Sequence, residues 1–362
     1  MIAVIGAGPA GSYAAKLLAE KGKEVILFEE HAEVGCPVQC TGIVTPSISH
    51  FMEIPKKIVA TECNAVLVKS KNNEIRVRTK EIVMWRNLFD QYVAEKAVDA
   101  GATLKTNHQF ISISGKNKIK IKNKDKNETD EFEAEAIIGA DGPSSSVAKA
   151  AGMHSLEQFY VGMQAKIKHK MDTSEFETHF GSAFPDFFGW IVPESEDTVR
   201  LGIGAKQNAS KIFFNFLEAA TGKKDVQCWE SGIIPIYNPK KTIQKDNVYL
   251  IGDAATQVKA TTGGGIIPSL KAATTLTDCI INKKNYNEEF KKQSGRELML
   301  HLRIRNVLNR FKDKDYDHLL SLMSQKRIQD SLSKYDRDSP IALVTSLLLK
   351  EPRFLLYGRF AL

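Results

Sequence analysis

The sequence predicts a mixed α/β fold: a parallel sheet interrupted by inserted strands and followed by a helical C-terminal segment. Three observations predict it. Short apolar runs alternate with a helical pattern at the start of the chain, runs of period two fill its middle, and apolar residues recur at helical spacing from Glu288 onward. A chain of 362 residues is long enough to hold two interlocked substructures and a large core.

The first element is the apolar run Ile2-Ala3-Val4-Ile5, read as a strand. Gly6-Ala7-Gly8-Pro9-Ala10-Gly11 follows it and opens a small-residue helix through Ala14, Ala15, Leu17 and Leu18, ended by Gly22. The next strand, Glu24 to Phe28, delivers Glu29 eighteen residues after Gly11. In that strand–helix–strand setting the stretch is a dinucleotide-binding fingerprint, and the layer is Rossmann-like. Gly6 makes the tight turn and Gly8 lets backbone approach a pyrophosphate. Gly11 packs helix on strand, and Glu29 accepts ribose hydroxyls, with Ala10 in the same cofactor-binding turn.

Two stretches much further on indicate which dinucleotide. Gly252-Asp253 closes the apolar strand Val248-Tyr249-Leu250-Ile251, about 240 residues downstream of the first glycine turn. A nicotinamide-only domain has no use for a contact so remote, whereas the flavin half of FAD must be held by a distant segment. Asp253 would meet the pyrophosphate or ribityl chain. Thr262-Gly263-Gly264-Gly265-Ile266 then opens a helix running to about Ile281. Its unsatisfied N–H groups and positive dipole end would face the flavin pyrimidine. Asp141-Gly142, after the apolar residues ending at Gly139, adds a third turn. Arg86, ahead of a helix from Asn87 to about Asp99, could reach a phosphate.

The remaining elements follow from periodicity. Alternating runs at Ala65–Val68, Ile75–Arg78, Val161–Ile167, Glu177–Phe180, Gly189–Pro193 and Val199–Ala205 predict an antiparallel sheet whose inner face carries Phe187, Phe188 and Trp190. Lys116–Lys126, alternating with Ile119 and Ile121, predicts a solvated β-hairpin; it lacks the interleaved aromatics that single-stranded nucleic acid requires. The discontinuous FAD-binding domain is expected to use residues 1–58, 85–157 and 245–290. The sheet domain takes 59–84 and 158–244, and the helical region 291–362. The terminal stretch from Pro340 to Leu362 is apolar with Lys350, Arg353 and Arg359; such a helix either docks on its own domain, the commoner case, or lies in a membrane interface.

Composition closes off other classes. The net charge of +7 comes from 50 basic and 43 acidic residues, so both signs are dense and nucleic-acid binding is not indicated. No window reaches the roughly 18 apolar residues of a transmembrane helix. Met1 directly precedes the first strand, so no signal peptide is expected and the protein is expected to be cytoplasmic. Five cysteines argue against a disulfide framework, and Cys36 and Cys40 lack the partners of a zinc site; no metal is expected.

These motifs together resemble the glutathione-reductase-type FAD fold, in the p-hydroxybenzoate hydroxylase-like branch that includes the geranylgeranyl reductases. Gly35-Cys36-Pro37-Val38-Gln39-Cys40-Thr41-Gly42 is similar to the GxPxxCxG segment of archaeal geranylgeranyl reductases. Pro185-Asp186-Phe187-Phe188-Gly189-Trp190-Ile191-Val192-Pro193 is similar to their aromatic-Trp-x-x-Pro pocket motif, and the stretch from Gly252 to Ile266 to their flavin loop. The chain departs at Phe188-Gly189, where family members often place Tyr and another bulky residue. It departs again after Asp141-Gly142, where hydroxylases usually carry an arginine and this chain leads to Ala148 and Lys149.

The resemblance implies an FAD-dependent reductase whose flavin N5 delivers hydride to a geranylgeranyl double bond of a membrane-lipid precursor while a proton reaches the other carbon. Phe187, Phe188, Trp190 and Pro193 would line a dry lipid pocket. Cys40 would donate the proton, position the alkene, or, with Thr41 and Gly42, contact the cofactor. The chain has no second fingerprint for a nicotinamide, so the electron donor is either NAD(P)H visiting transiently or a redox protein such as ferredoxin. The expected partner is a prenylated lipid, the protein is expected to act as a monomer, and peripheral membrane contact stays open. Two other readings compete: an aromatic or polyketide monooxygenase, and a flavin protein that sequesters a lipid or quinone without turnover.

Overall fold

The computed structural model describes residues 1–153, 157–222, 226 and 229–360, so the end of the terminal stretch, residues 361–362, lies outside it. The chain forms two compact units. One comprises Met1–Val38, Arg86–Gln158 and Pro235–Met299; the other comprises Gln39–Trp85, Phe159–Ile234 and Leu300–Leu362.

The first unit is built on a six-stranded sheet in the order Gln244–Lys245, Val248–Leu250, Ala136–Gly139, Ile2–Ile5, Val25–Phe28, Thr103–Lys105. All neighbours are parallel except the antiparallel edge strand Gln244–Lys245. Parallel strands are covered on both faces, which is why Ile2–Ile5 and Ala136–Gly139 are apolar and buried throughout. The helix Pro9–Glu20 packs against the helices Arg86–Asp99 and Ile266–Asn282.

Register decides where the motifs emerge. Ile5 stands opposite Phe28 on one side and Gly139 on the other, and Gly139 stands opposite Leu250. The turns that begin at Gly6, Glu29, Ala140 and Ile251 therefore leave the sheet at one carboxyl edge, where ligands of open α/β sheets bind.

Lys118–Asn123 is the middle strand of a three-stranded antiparallel sheet, between His108–Ser114 and Glu128–Glu133, rather than half of a lone hairpin. Ile119 and Ile121 are fully buried, while Lys118 and Lys120 reach Glu131 on the neighbouring strand at 3.9 and 3.5 Å. Phe132 packs edge-on against Phe28 at 5.0 Å and ties this small sheet to the parallel one.

The second unit holds an eight-stranded sheet ordered Trp229–Pro235, Phe159–Lys168, Thr198–Ala205, Gly189–Pro193, Glu175–His179, Val59–Lys69, Glu74–Met84, Ile43–Val44. The expected strands are present, and those from Phe159 to Ala205 pair antiparallel. One pairing departs from expectation: Glu175–His179 runs parallel to Val59–Lys69. No hairpin joins these two; the intervening chain passes through the first unit, which frees the strand direction.

Residues alternate between the two faces of this sheet. Ala165, Ile191, Leu201 and Ile203 point to one face, where Phe213, Phe216 and Leu217 of the helix Ala209–Thr221 cover them. Gln164, Lys166, Trp190, Arg200 and Gly202 point to the other. The C-terminal helices belong to the same unit from Leu300 onward. They are tied to it by Thr45 Oγ1 donating to Asp338 at 2.7 Å and by the Arg337–Glu81 ion pair at 2.8 Å.

Candidate functional site

At the carboxyl edge of the parallel sheet, each fingerprint glycine answers a different constraint. Gly6 has φ +101°, and a Cβ there would stand 2.4 Å from the carbonyl oxygen of Ala140. A Cβ on Gly11 would stand 2.0 Å from the carbonyl oxygen of Gly6, so helix and turn close on each other with no room for a methyl. Gly8 is different: its Cβ direction meets nothing within 4 Å. It caps the helix beginning at Pro9 without a side-chain hydrogen bond. Gly8 thus lines open space beside a helix N-terminus, which suits an incoming phosphate.

Glu29 is buried at the end of the second strand. Its Oε2 accepts from the Ala7 amide at 2.9 Å, and its Oε1 accepts from the His31 amide at 3.0 Å and lies 2.7 Å from His31 Nδ1. The carboxylate is held across the mouth of the glycine turn, and each oxygen keeps acceptor capacity for a hydroxyl.

The two remaining acids of this edge differ in character. Asp141 is engaged by the protein: its carboxylate accepts from Ser145 Oγ at 2.6 Å and from the Val147 amide at 3.0 Å, bracing the turn ahead of the helix Ser146–Ala150. Gly142, with φ +76°, gives that turn its left-handed step. Burial pushes the Asp141 pKa up. Asp253 sits in the short helical turn Gly252–Ala255, where burial pushes its pKa up to about 6 against the opposing pull of Arg86. Arg86 itself makes a bidentate pair with Asp90 at 3.0 and 2.9 Å, so it is anchored on its own helix as well as facing Asp253.

The fingerprint and the remote loop meet. A Cβ on Gly252 would lie 3.0 Å from Cβ of Ala10, and one on Gly265 would lie 3.1 Å from Asp253 Oδ1. Gly263 takes φ +70°, and Gly264 is fixed by the Lys259 amide donating to its carbonyl at 3.2 Å. Gly265 then caps the helix Ile266–Asn282 with no side-chain hydrogen bond, leaving the amides at Ile266 and Ile267 for another acceptor. Arg86, Asp253, Gly265 and the glycine turn of the first helix are thereby gathered in one unit.

Sequence reasoning missed what supports this loop. Gln257, fully buried, accepts from the Gly252 amide at 2.7 Å and donates to the buried Tyr286 hydroxyl at 3.0 Å. A glutamine between Thr256 and Val258 carries no periodic signal, and Tyr286 lies 29 residues away.

The other predicted residues lie in the second unit. The segment Gly35–Gly42 crosses from the first unit to the second after Val38. Cys40 Sγ accepts from the Gly42 amide at 3.4 Å, and Thr41 Oγ1 donates to Gln164 at 2.9 Å. Gln164 passes the chain of hydrogen bonds to Glu230 at 2.8 Å, which Arg200 meets at 2.8 Å. Pro193 ends its strand with its carbonyl taken by Thr61 Oγ1 at 2.8 Å.

The aromatic residues divide. Phe187 and Phe188 are 1% and 8% exposed, stacked on each other at 4.3 Å, with Tyr160 4.6 Å from Phe187. The buried Arg305 lies over Phe187 at 4.6 Å and donates to its carbonyl at 3.4 Å. Burial lowers the pKa of that guanidinium. Trp190 is half-buried on the sheet face and packs over Gly202, where a Cβ would stand 2.5 Å from its ring. Its Nε1 is shielded and has no acceptor among the described residues, so the ring is placed for its flat apolar surface rather than for its N–H.

Comparison with known proteins agrees with this geometry. The FAD binding domain family model matches residues 1–184. Digeranylgeranylglycerophospholipid reductase 3 of Methanosphaera stadtmanae is 28% identical, the match covering 90% of this chain and 91% of that protein. Digeranylgeranylglycerophospholipid reductase of Methanosarcina acetivorans is 27% identical over 91% and 89%. Among solved structures, a geranylgeranyl bacteriochlorophyll reductase-like protein from Thermoplasma acidophilum superposes with a TM-score of 0.86 at 22% identity, covering 100% of this chain and 98% of the other. A flavin-dependent brominase gives 0.74 at 14%, covering 97% and 99%; likenesses at these identities speak to the fold.

Proposed function

The chain belongs to the FAD-binding-domain family, and from that premise we propose that it is an FAD-dependent reductase saturating carbon–carbon double bonds of geranylgeranyl groups in membrane-lipid precursors. One observation carries this reading: the similarity to digeranylgeranylglycerophospholipid reductases extends over nine-tenths of the chain and about nine-tenths of those proteins.

The first unit fits the cofactor on its own terms, through the open space at Gly8, the acid poised at the ribose position and an uncapped helix beyond Gly265. Gly6, Gly8, Ala10 and Gly11 would hold the pyrophosphate and Glu29 a ribose. Arg86, Asp253 and the amides following Gly263, Gly264 and Gly265 would hold the flavin half. Asp141 and Gly142 brace the edge they stand on. When bound, FAD supplies the hydride.

The rest falls to the protein. An isolated trisubstituted alkene has no carbonyl to polarise it, so charge of tertiary-cation character builds as the proton arrives. Water would quench that charge, and an aromatic face tolerates it. Trp190 offers such a face, while Phe187 and Phe188, packed beneath Arg305, form the rigid backing of the aromatic segment. The Cys40 thiol is the proposed proton donor, recovering its proton from solvent after each turnover. The donor of electrons is NAD(P)H or a reduced redox protein. The lipid substrate makes the protein a peripheral visitor to the bilayer, and no helix among the described residues is long and apolar enough to cross a membrane.

The test is spectroscopic. The holoprotein, reduced with dithionite without oxygen and mixed with a detergent-dispersed geranylgeranyl lipid, should regain the oxidised flavin absorbance in proportion to lipid. A spectrum that stays reduced until oxygen is admitted contradicts the reading.

A further inference from the structure

We propose that the surface formed by the helix Pro340–Lys350 and the helical turns Pro352–Phe360 docks on an anionic lipid bilayer. The choice of a bilayer as occupant rests on the reductase reading, in which the substrate is a membrane lipid; the surface itself does not.

The helix Pro340–Lys350 contains Ile341, Leu343, Val344, Leu347, Leu348 and Leu349, yet of its residues Pro340 alone is buried. One side is tied to the unit, through Ser346 Oγ and Ser331 Oγ at 2.9 Å. Ile341, Thr345 and Leu349 are spaced four apart, share one face, and are exposed, Ile341 by 49% and Leu349 by 79%.

The turns that follow repeat the arrangement. Tyr357 is buried, with its ring 4.9 Å from Phe311 and its hydroxyl 3.1 Å from His318 Nδ1, and Phe360 packs on Phe311 at 5.0 Å. Immediately before those anchors Leu355 and Leu356 are turned out, 64% and 58% exposed. A segment fastened by its aromatics that displays its leucines is a built surface rather than a frayed end.

Charge identifies the partner. Lys350, Arg353 and Arg359 border the leucines and are exposed. The single acid between Pro340 and Phe360 is Glu351, whose buried carboxylate is occupied by Arg327 at 2.7 Å and Arg353 at 2.6 Å. Apolar residues rimmed by cations suit the boundary between acyl chains and anionic head groups, where each basic residue adds roughly fivefold to binding. A second copy of the chain suits it poorly, because a two-fold contact would set Lys350, Arg353 and Arg359 against themselves.

The experiment is flotation of the full-length holoprotein with phosphatidylcholine vesicles, with and without phosphatidylglycerol, beside light scattering in solution. The wild type should float with the anionic vesicles. The combined change Leu349→Asp, Leu355→Asp and Leu356→Asp should reduce the bound fraction by at least about tenfold, and Lys350→Glu should cut the preference for anionic lipid by roughly fivefold or more. The milder set Leu349→Gln, Leu355→Gln and Leu356→Gln repeats the test if the aspartates disturb folding, and flavin content reports that. Turnover of detergent-dispersed lipid should be unchanged in every variant while turnover of vesicle-embedded lipid falls. Wild type that does not float, variants that float equally, or a wild-type dimer that the leucine changes dissolve would overturn the proposal. Absence of turnover in detergent alongside intact flotation would instead count against the reductase reading alone.

Discussion

The Ala7 amide donates to Glu29 Oε2 at 2.9 Å, joining the first glycine turn to the end of the second strand. The bond fixes the carboxylate before any cofactor arrives, so little ordering is left to do on binding. Glu29→Gln keeps an amide oxygen for Ala7 but loses the charge-assisted bond to a ribose. FAD affinity should fall about tenfold, the loss of one such bond, and the apoprotein should lose about 1–2 kcal/mol, because the new NH2 group faces the His31 amide that Oε1 had accepted from. Fluorescence titration of the apoprotein with FAD measures it.

Gly8 and Gly11 should respond differently to the same methyl group. At Gly11 it would overlap the Gly6 carbonyl, so Gly11→Ala should cost about 3 kcal/mol or more of stability. At Gly8 the methyl meets only open space, so Gly8→Ala should fold and melt normally but bind FAD at least about tenfold more weakly. Thermal melts with and without FAD separate the two.

Asp253 sets a pH dependence of the apoprotein. Burial raises its pKa from 3.8 to about 6. The folded state then holds a proton that the unfolded chain has released, so stability falls as pH rises through that window. Relative to Asp253→Asn, wild-type apoprotein should lose about 2–3 kcal/mol between pH 4 and pH 7. A difference between the two proteins that is flat with pH would refute the assignment.

Trp190 and Cys40 bear on turnover. Trp190→Leu keeps an apolar side chain over Gly202 but removes the π face; kcat should drop about tenfold or more with FAD occupancy unchanged. Cys40→Ser should leave FAD bound and slow alkene reduction on the order of a hundredfold if the thiol delivers the proton. Unchanged turnover would reject that role. Single-turnover kinetics on FAD-replete protein report both.

Much of the fold could be read because buried parallel strands are apolar runs and glycine turns are local. Ile2–Ile5, Gly6–Gly11 and Glu29 need only about thirty consecutive residues to declare themselves, and the helix expected from Gly264–Ile266 to about Ile281 is found at Ile266–Asn282. What stayed hidden depends on partners far along the chain. Phe187 and Phe188, expected on the sheet's inner face, instead precede the strand Gly189–Pro193, and the Arg305 that caps Phe187 is 118 residues away, so no local pattern could reveal that a cation stands over them. The helix Ala209–Thr221 has no counterpart among the expected elements, although Phe213, Phe216 and Leu217 share its buried face. Its cluster of Phe213, Phe214 and Phe216 blurs the helical signal, because aromatic residues favour strands as well. The Asp141 turn shows the same limit: two residues suggested cofactor contact, and Ser145 and Val147 show how much of the carboxylate serves the turn itself.

The central claim is most directly tested by mass spectrometry of a geranylgeranyl phospholipid after anaerobic incubation with reduced, FAD-replete protein. The account predicts a product heavier by one hydride and one proton for each double bond saturated, formed without oxygen. Lipid recovered unchanged, or a product that has gained an oxygen atom and forms only in air, would contradict it.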